Sequence, residues 1–180
     1  MHAFGVKGDK IGFMKMAGFY DESISNGLGW RAVLFVSGCP HHCPGCHNQQ
    51  AQDYNYGEEF NKQKILSRIQ ENSILKGITI SGGEPLCEEN IAEVVDFIKD
   101  VKKIKPNFNI WCYTGYTMEE LEKREDAATQ EALNEIDVLV DGKFKEAQKD
   151  PNLKFRGSKN QRIIDIKNTK KVHKVIELAI

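Results

Sequence analysis

The stretch Arg31-Ala32-Val33-Leu34-Phe35-Val36-Ser37-Gly38-Cys39-Pro40-His41-His42-Cys43-Pro44-Gly45-Cys46-His47-Asn48 decides the fold. Arg31 to Ser37 reads as a buried strand, with apolar, β-branched and aromatic residues running from Ala32 to Val36 before Gly38 ends it. The remainder carries Cys39, Cys43 and Cys46 at C-x3-C-x2-C spacing. A thiolate is a soft ligand, and three on one tight loop can converge on a single metal centre. A four-iron cluster takes four ligands, one per iron, so this loop would leave one iron open to a small molecule. A metal loop directly after a first strand also sits where α/β folds put their chemistry.

Zinc competes with iron, because His41, His42 and His47 crowd the same loop. A zinc site needs a tetrahedral set, usually completed by a second Cys/His pair further along. No second C-x2-C or H-x3-H pair follows, and Cys87 and Cys112 stand alone. Those two read as small buried hydrophobes, too few for an auxiliary ferredoxin-like cluster. His41 and His42 read as loop residues and not ligands, and His173 carries no signal.

Outward from the loop, strands alternate with helices. Phe13–Tyr20 reads as a strand or edge segment, and Asp21–Gly29 as a polar loop. Asn61–Asn72 has Ile65, Leu66 and Ile69 at helical spacing. Gly77–Ser81 is a short strand closed by Gly82-Gly83-Glu84-Pro85. Glu89–Ile104 is the clearest helix, with Ile91, Val94, Val95, Ile98 and Val101 on one face. Asn109–Tyr113 is the next strand, and Thr117-Met118-Glu119-Glu120 has the form of a capping box. Ala127–Glu135 reads as helical, Asp137–Val140 as a strand, Lys145–Asn160 as a loop and Arg162–Lys167 as a strand. Val172–Leu178 is a final strand or short helix. This alternation implies βαβ units and a parallel sheet. A full eight-unit barrel takes about 250 residues, so 180 residues suit an open, partial (β/α) barrel of about four to six units in one domain, residues 1–180.

The bulk numbers exclude several classes. Lys and Arg number 25 against 26 Asp and Glu, with no long basic block, so nucleic-acid binding is not indicated. The apolar run Ala32–Val36 is far too short to cross a bilayer. Lys7, Asp9 and Lys10 leave no room for the apolar core of a secretory signal. Five cysteines, three of them bunched, do not form a disulfide framework. A reducing cytoplasm fits best.

In a parallel sheet the loops after the strands share one edge. That edge gathers the cysteine loop, Gly82-Gly83-Glu84, Thr114-Gly115-Tyr116 and Asp141-Gly142-Lys143. Paired glycines let a ligand approach backbone carbonyls that can accept from an ammonium group. Glu84 adds negative charge, and Lys143 could face a carboxylate. A zwitterionic amino-acid moiety suits such a rim, whereas each feature taken alone reads equally well as a turn or a surface lysine.

Cys39-x3-Cys43-x2-Cys46 followed by Ser81-Gly82-Gly83-Glu84-Pro85 resembles the radical S-adenosylmethionine superfamily. More narrowly, the chain is similar to the activating components of anaerobic (class III) ribonucleoside-triphosphate reductases. That likeness runs through Asn26-Gly27-Leu28-Gly29-Trp30-Arg31, Trp111-Cys112-Tyr113-Thr114-Gly115-Tyr116, Val138-Leu139-Val140-Asp141-Gly142-Lys143-Phe144 and Arg156-Gly157-Ser158-Lys159-Asn160-Gln161.

The resemblance implies an oxidoreductase of the radical S-adenosylmethionine type. Cys39, Cys43 and Cys46 would hold three irons of a [4Fe-4S] cluster, and the amino and carboxylate groups of S-adenosylmethionine would chelate the fourth. Gly82, Gly83 and Glu84 would border the methionine amino group, with Asp141 and Lys143 contacting the same moiety. Many superfamily members place an aromatic residue just before the third cysteine, near the adenine. Gly45 stands there in this chain, and the backbone of Gly45, Cys46 and His47 is the expected substitute. Reductive cleavage would yield a 5'-deoxyadenosyl radical that takes a hydrogen atom from a glycine of the reductase. A flavodoxin-type reductant is implied as a second partner. Arg156, Asn160 and Gln161 would either recognise the reductase or cap a loop.

Overall fold

The computed structural model describes residues 14–180; Phe13, the start of the first expected strand, lies outside the described residues. Strands β1 (Lys15–Ser23), β2 (Arg31–Val36), β3 (Glu58–Glu59), β4 (Gly77–Gly82), β5 (Asn109–Tyr113), β6 (Val138–Asp141) and β7 (Arg162–Asp165) form one sheet ordered β3-β1-β2-β4-β5-β6-β7. Helices α1 (Lys62–Glu71), α2 (Ile91–Ile104), α3 (Met118–Glu122), α4 (Ala127–Glu135) and α5 (Ile166–Val172) complete a mixed α/β architecture.

The four central strands, β2, β4, β5 and β6, are parallel. Each crossover steps one strand in the same direction, and right-handed crossovers of that kind leave all their helices on one face. The packing agrees. Ala32, Leu34 and Val36 of β2, Ile78 and Ile80 of β4, and Ile110 and Cys112 of β5 share one core with Ile65 and Ile69 of α1, Val94, Phe97 and Ile98 of α2, and Ala132 and Leu133 of α4. Side chains alternate across a strand, so Trp111, Val138, Val140 and Ile163 form a smaller cluster on the opposite face, joined by Tyr113 and Phe155.

The edges depart from the all-parallel expectation. β1 and β3 pair antiparallel on one flank and β7 pairs antiparallel with β6 on the other. β1 runs through Ser23, where a polar loop was expected. β3 covers only Lys15 and Met16, so the rest of β1 is a free sheet edge, broken by irregularities in register, and polar residues tolerate that position. Asp21 is fastened there by Arg68 of α1, with Nε 2.8 Å from Oδ1. β7 stops at Asp165, not Lys167, because the Asp165 carboxylate accepts from the Asn168 N–H and starts α5. His173, at φ +53°, ends that helix, and the tail returns to a single bridge between Ile164 and Glu177. Asp137 lies just before β6, its carboxylate accepting from the Ile110 N–H at 2.7 Å. The capping box is present in full, with Thr117 and Glu120 exchanging hydrogen bonds at the start of α3.

The N-terminal ends of the parallel strands are tied by a buried arginine. Arg31 is 1% exposed. It donates to Thr79 Oγ1 at 2.9 Å, Leu28 O at 3.1 Å, Ile78 O at 2.7 Å and Asn109 O at 2.6 Å. Its guanidinium also lies over the Trp111 ring, 5.4 Å from the centroid. Burial draws its pKa from 12.5 down to about 10, which still leaves it charged at neutral pH. Among the described residues no helix is long and apolar enough to cross a membrane.

Candidate metal centre

The C-terminal strand ends carry the chemistry. The loop after β2 is pinned to the loop after β4 by backbone bonds: Gly83 N–H to Val36 O and Glu84 N–H to Gly38 O, both 2.7 Å. Two glycines make this approach possible. A Cβ on Gly83 would fall 2.3 Å from Gly38 O, and one on Gly38, at φ +92°, would lie 2.1 Å from the Tyr54 ring. Asn90 precedes α2 but gives the helix no side-chain cap. Its amide instead donates to Ser37 O at 2.9 Å and Glu84 O at 3.1 Å, clamping the entry to the cysteine loop.

Cys39, Cys43 and Cys46 are all half-buried free thiols on the wall of one cavity of about 490 Å³. Its other walls include Gly82 at the end of β4 and Gly83 after it, Thr114 and Gly115 after β5, and Gly142 and Phe144 after β6. Phe35, Ser81 and Tyr113 extend it along the helix-free face of the sheet. A second hollow, about 680 Å³, lies between β3 and α1 and is lined by Glu58, Lys62 and Arg68 among others; no cysteine reaches it.

Burial pushes the Cys39 thiol up to about 11 and raises Cys43, while a backbone N–H from Phe144 acts in the opposite sense on Cys43. Burial acts the same way on the lone thiols Cys87 and Cys112, so it is the shared cavity wall that sets the three loop cysteines apart. Among the described residues no three His, Cys, Asp or Glu side chains converge on a point for a single ion. A cluster makes a different demand: each thiolate binds its own iron, so the sulfurs belong around a body and not at a shared point. Three separate half-buried thiols on a cavity wall fit that demand.

The remaining candidates divide. Gly45, Cys46 and His47 line the cavity. Gly45 has φ +68°, a conformation that disfavours any residue with a side chain before the third cysteine, and a Cβ there would have to displace the exposed Glu146 carboxyl at 2.8 Å. Glu84 stands in the wall but is fully buried, and its carboxylate accepts four hydrogen bonds. Asp141 is fully buried and does not line the cavity. It accepts from the Met118 N–H at 2.8 Å and from Arg162 Nε at 3.0 Å, joining β6, α3 and β7. Lys143 is exposed and stands off the wall, near enough to Cys43 to favour its thiolate.

Asn160 and Gln161 knit the loop after β6. Asn160 Nδ2 donates to Lys143 O at 2.8 Å, Gln161 Nε2 donates to Gly142 O at 3.0 Å, and Gln161 Oε1 accepts from the Gly157 N–H at 2.9 Å. Arg156 donates to Gln161 O at 2.6 Å and also borders the cavity. Cys87 and Cys112 are buried inert thiols, Cys87 pushed by burial up to about 12 and Cys112 raised further than a free thiol by the same cause.

Comparison with known proteins agrees with the class that this loop defines: residues 25–164 match the family described as a 4Fe-4S single cluster domain. The chain is also 42% identical over 147 residues to the anaerobic ribonucleoside-triphosphate reductase-activating protein of Haemophilus influenzae, spanning 79% of this chain and 92% of that protein. The protein of that name in Escherichia coli K12 is 40% identical over 147 residues, 79% of this chain and 93% of its own. The one from Enterobacteria phage T4 is 38% identical over 146 residues, 80% and 89%. This chain belongs to the family of anaerobic ribonucleoside-triphosphate reductase-activating proteins.

Proposed function

We propose that this chain activates an anaerobic ribonucleoside-triphosphate reductase by radical S-adenosylmethionine chemistry. The observation that carries the reading is the position of Cys39, Cys43 and Cys46. They stand on one cavity wall formed where β2, β4, β5 and β6 end. Its volume lies within the range of small-molecule sites. Parallel strands stepping one way, helices on one face and a cavity on the other support a partial (β/α) barrel in a single domain.

Cys39, Cys43 and Cys46 would hold three irons of a [4Fe-4S] cluster, leaving the fourth to the amino and carboxylate groups of S-adenosylmethionine. Gly82 and Gly83 offer close backbone approach for the methionine amino group, and Gly45, Cys46 and His47 the backbone for the adenine. Asp141 and Lys143 act from behind the wall, Asp141 fixing the loop after β6 and Lys143 lending positive charge near Cys43. Bound together, cluster and S-adenosylmethionine supply reductive carbon–sulfur cleavage and hydrogen-atom abstraction from a glycine of the reductase. The protein's own part is to orient both groups at the strand ends, in the cavity between the sheet and the segment after β6. A flavodoxin-type donor supplying the electron rests on the family resemblance alone.

Mixing the reconstituted protein with the purified reductase, a reductant and S-adenosylmethionine under anaerobic conditions tests this. A glycyl-radical electron paramagnetic resonance doublet on the reductase is expected. Its absence, with an intact cluster demonstrated, would overturn the assignment.

A further inference from the structure

His41 sits between the first two cysteines of the loop, yet its side chain is only 5% exposed. Nε2 lies 2.8 Å from Glu84 Oε2. The ring meets Tyr116 edge-on, centroids 4.4 Å apart. A Cβ on Gly115 would fall 2.2 Å from the imidazole, so the loop after β5 leaves room for this ring by carrying no side chain there. Tyr116 is backed in turn by the Arg124 guanidinium, 3.9 Å from its centroid, which donates to Leu86 O at 2.7 Å.

Glu84 completes the arrangement. Besides the imidazole, its carboxylate accepts from the Leu86 N–H at 2.9 Å, the Thr114 hydroxyl at 2.8 Å and the Gly115 N–H at 2.7 Å. Thr114 Oγ1 itself accepts from the Tyr116 N–H, leaving its own hydrogen for Glu84. A carboxylate offers about four acceptor sites, and four protein donors occupy them. The fourth partner is His41 Nε2, 2.8 Å away, and opposite an ionised carboxylate, which only accepts, that nitrogen is the donor. In this arrangement the acceptor sites of the Glu84 side chain are all engaged by protein partners.

We propose that His41 is a positioning residue for the cluster, and that Glu84 is its anchor and not a contact to the methionine moiety. Gly38 and Cys39 are tied to the fold by backbone bonds. In the next stretch of loop the exposed His42 reaches Gln52 Oε1 at 3.3 Å, while the buried His41 imidazole fastens it to the ends of β4 and β5 and holds Cys39 and Cys43 at their spacing. The inference rests on the cluster reading above and deepens it. It also accounts for a histidine held away from solvent in a metal loop without being a ligand.

The test compares wild type with His41→Leu, His41→Asn and His41→Gln after anaerobic reconstitution. Three readouts are taken: iron and sulfide per chain, the rate of iron release to a chelator, and the circular-dichroism melt of the apoprotein. Gln places an amide donor near the Nε2 position, whereas Asn is too short to reach Glu84. Leu and Asn should release iron about tenfold faster than wild type, in line with losses at groups that orient metal ligands. Gln should stay close to wild type, with all four apoproteins melting cooperatively. Wild-type retention in His41→Leu overturns the proposal. So does equal loss in His41→Gln and His41→Asn, which would show that the bond to Glu84 is not what positions the loop. Should His41→Leu fail to fold, the Asn and Gln pair decides alone. A wild type that takes up no iron sinks the cluster reading instead, and the two failures are thereby distinguished.

Discussion

Two buried charged side chains mark opposite ends of the same parallel strands. Arg31, at the N-terminal ends, is satisfied by carbonyls of Leu28, Ile78 and Asn109 and by the Thr79 hydroxyl. Glu84, at the C-terminal ends, is satisfied by N–H groups of Leu86 and Gly115, the Thr114 hydroxyl and His41. Both join neighbouring strands, and neither needs a surface partner. The difference lies in what they hold. Arg31 ties strand to strand and serves the fold. Glu84 ties the cysteine loop to the strands and serves the site. Stability and function are therefore built at separate ends of one sheet, and variants at the two ends should separate them.

The largest effect belongs to the cysteines. Cys43→Ala should abolish cluster assembly and activity while leaving the apoprotein melt unchanged, measured by iron analysis and circular dichroism. A variant that kept its iron would break the upper half of the comparison. Arg31→Ala should do the reverse: leaving buried carbonyls without donors costs about 3 kcal/mol, visible in denaturant titration, with normal iron per folded molecule.

A smaller effect sharpens the contrast within the site. Gly83→Ala forces a Cβ to 2.3 Å from Gly38 O, and overpacking of this kind costs about 2 kcal/mol. Gly18→Ala in β1 meets nothing closer than the Phe35 ring at 3.9 Å and should change stability by less than about 0.5 kcal/mol. Equal effects from the two would remove the argument for close loop packing. The smallest effect is a pH response. The Arg162 hydrogen bond holds Glu119 well below its ordinary 4.5, at about 2. Its folded pKa is depressed, so its contribution is complete above 4.5 and is lost as pH falls towards 2. Glu119→Gln should flatten the melting temperature slightly across that window.

The central strands and long helices were legible because burial writes itself into periodicity: Ala32, Leu34 and Val36 face the helices, and Val94, Val95 and Ile98 face back. The cysteine triplet was equally plain, since all three residues lie within one loop. The edges were harder. Asp21 to Ser23 look like loop because an exposed edge strand carries no alternation, and the end of β7 depends on a cap at Asp165. His41 and Asp141 were hardest. The partner of His41 lies 43 residues away at Glu84, and that of Asp141 lies 21 residues away at Arg162. No local pattern announces such a bond. Gly115 held the one available signal, a glycine whose need becomes clear only once the imidazole beside it is seen.

One measurement tests the central claim most directly. The anaerobically reconstituted and reduced protein is given S-adenosylmethionine, with the reductase present, and 5'-deoxyadenosine and methionine are quantified beside the Cys43→Ala variant. Both products should form with wild type and vanish with the variant. A wild-type protein that holds a reduced four-iron cluster and yields neither product would contradict the account.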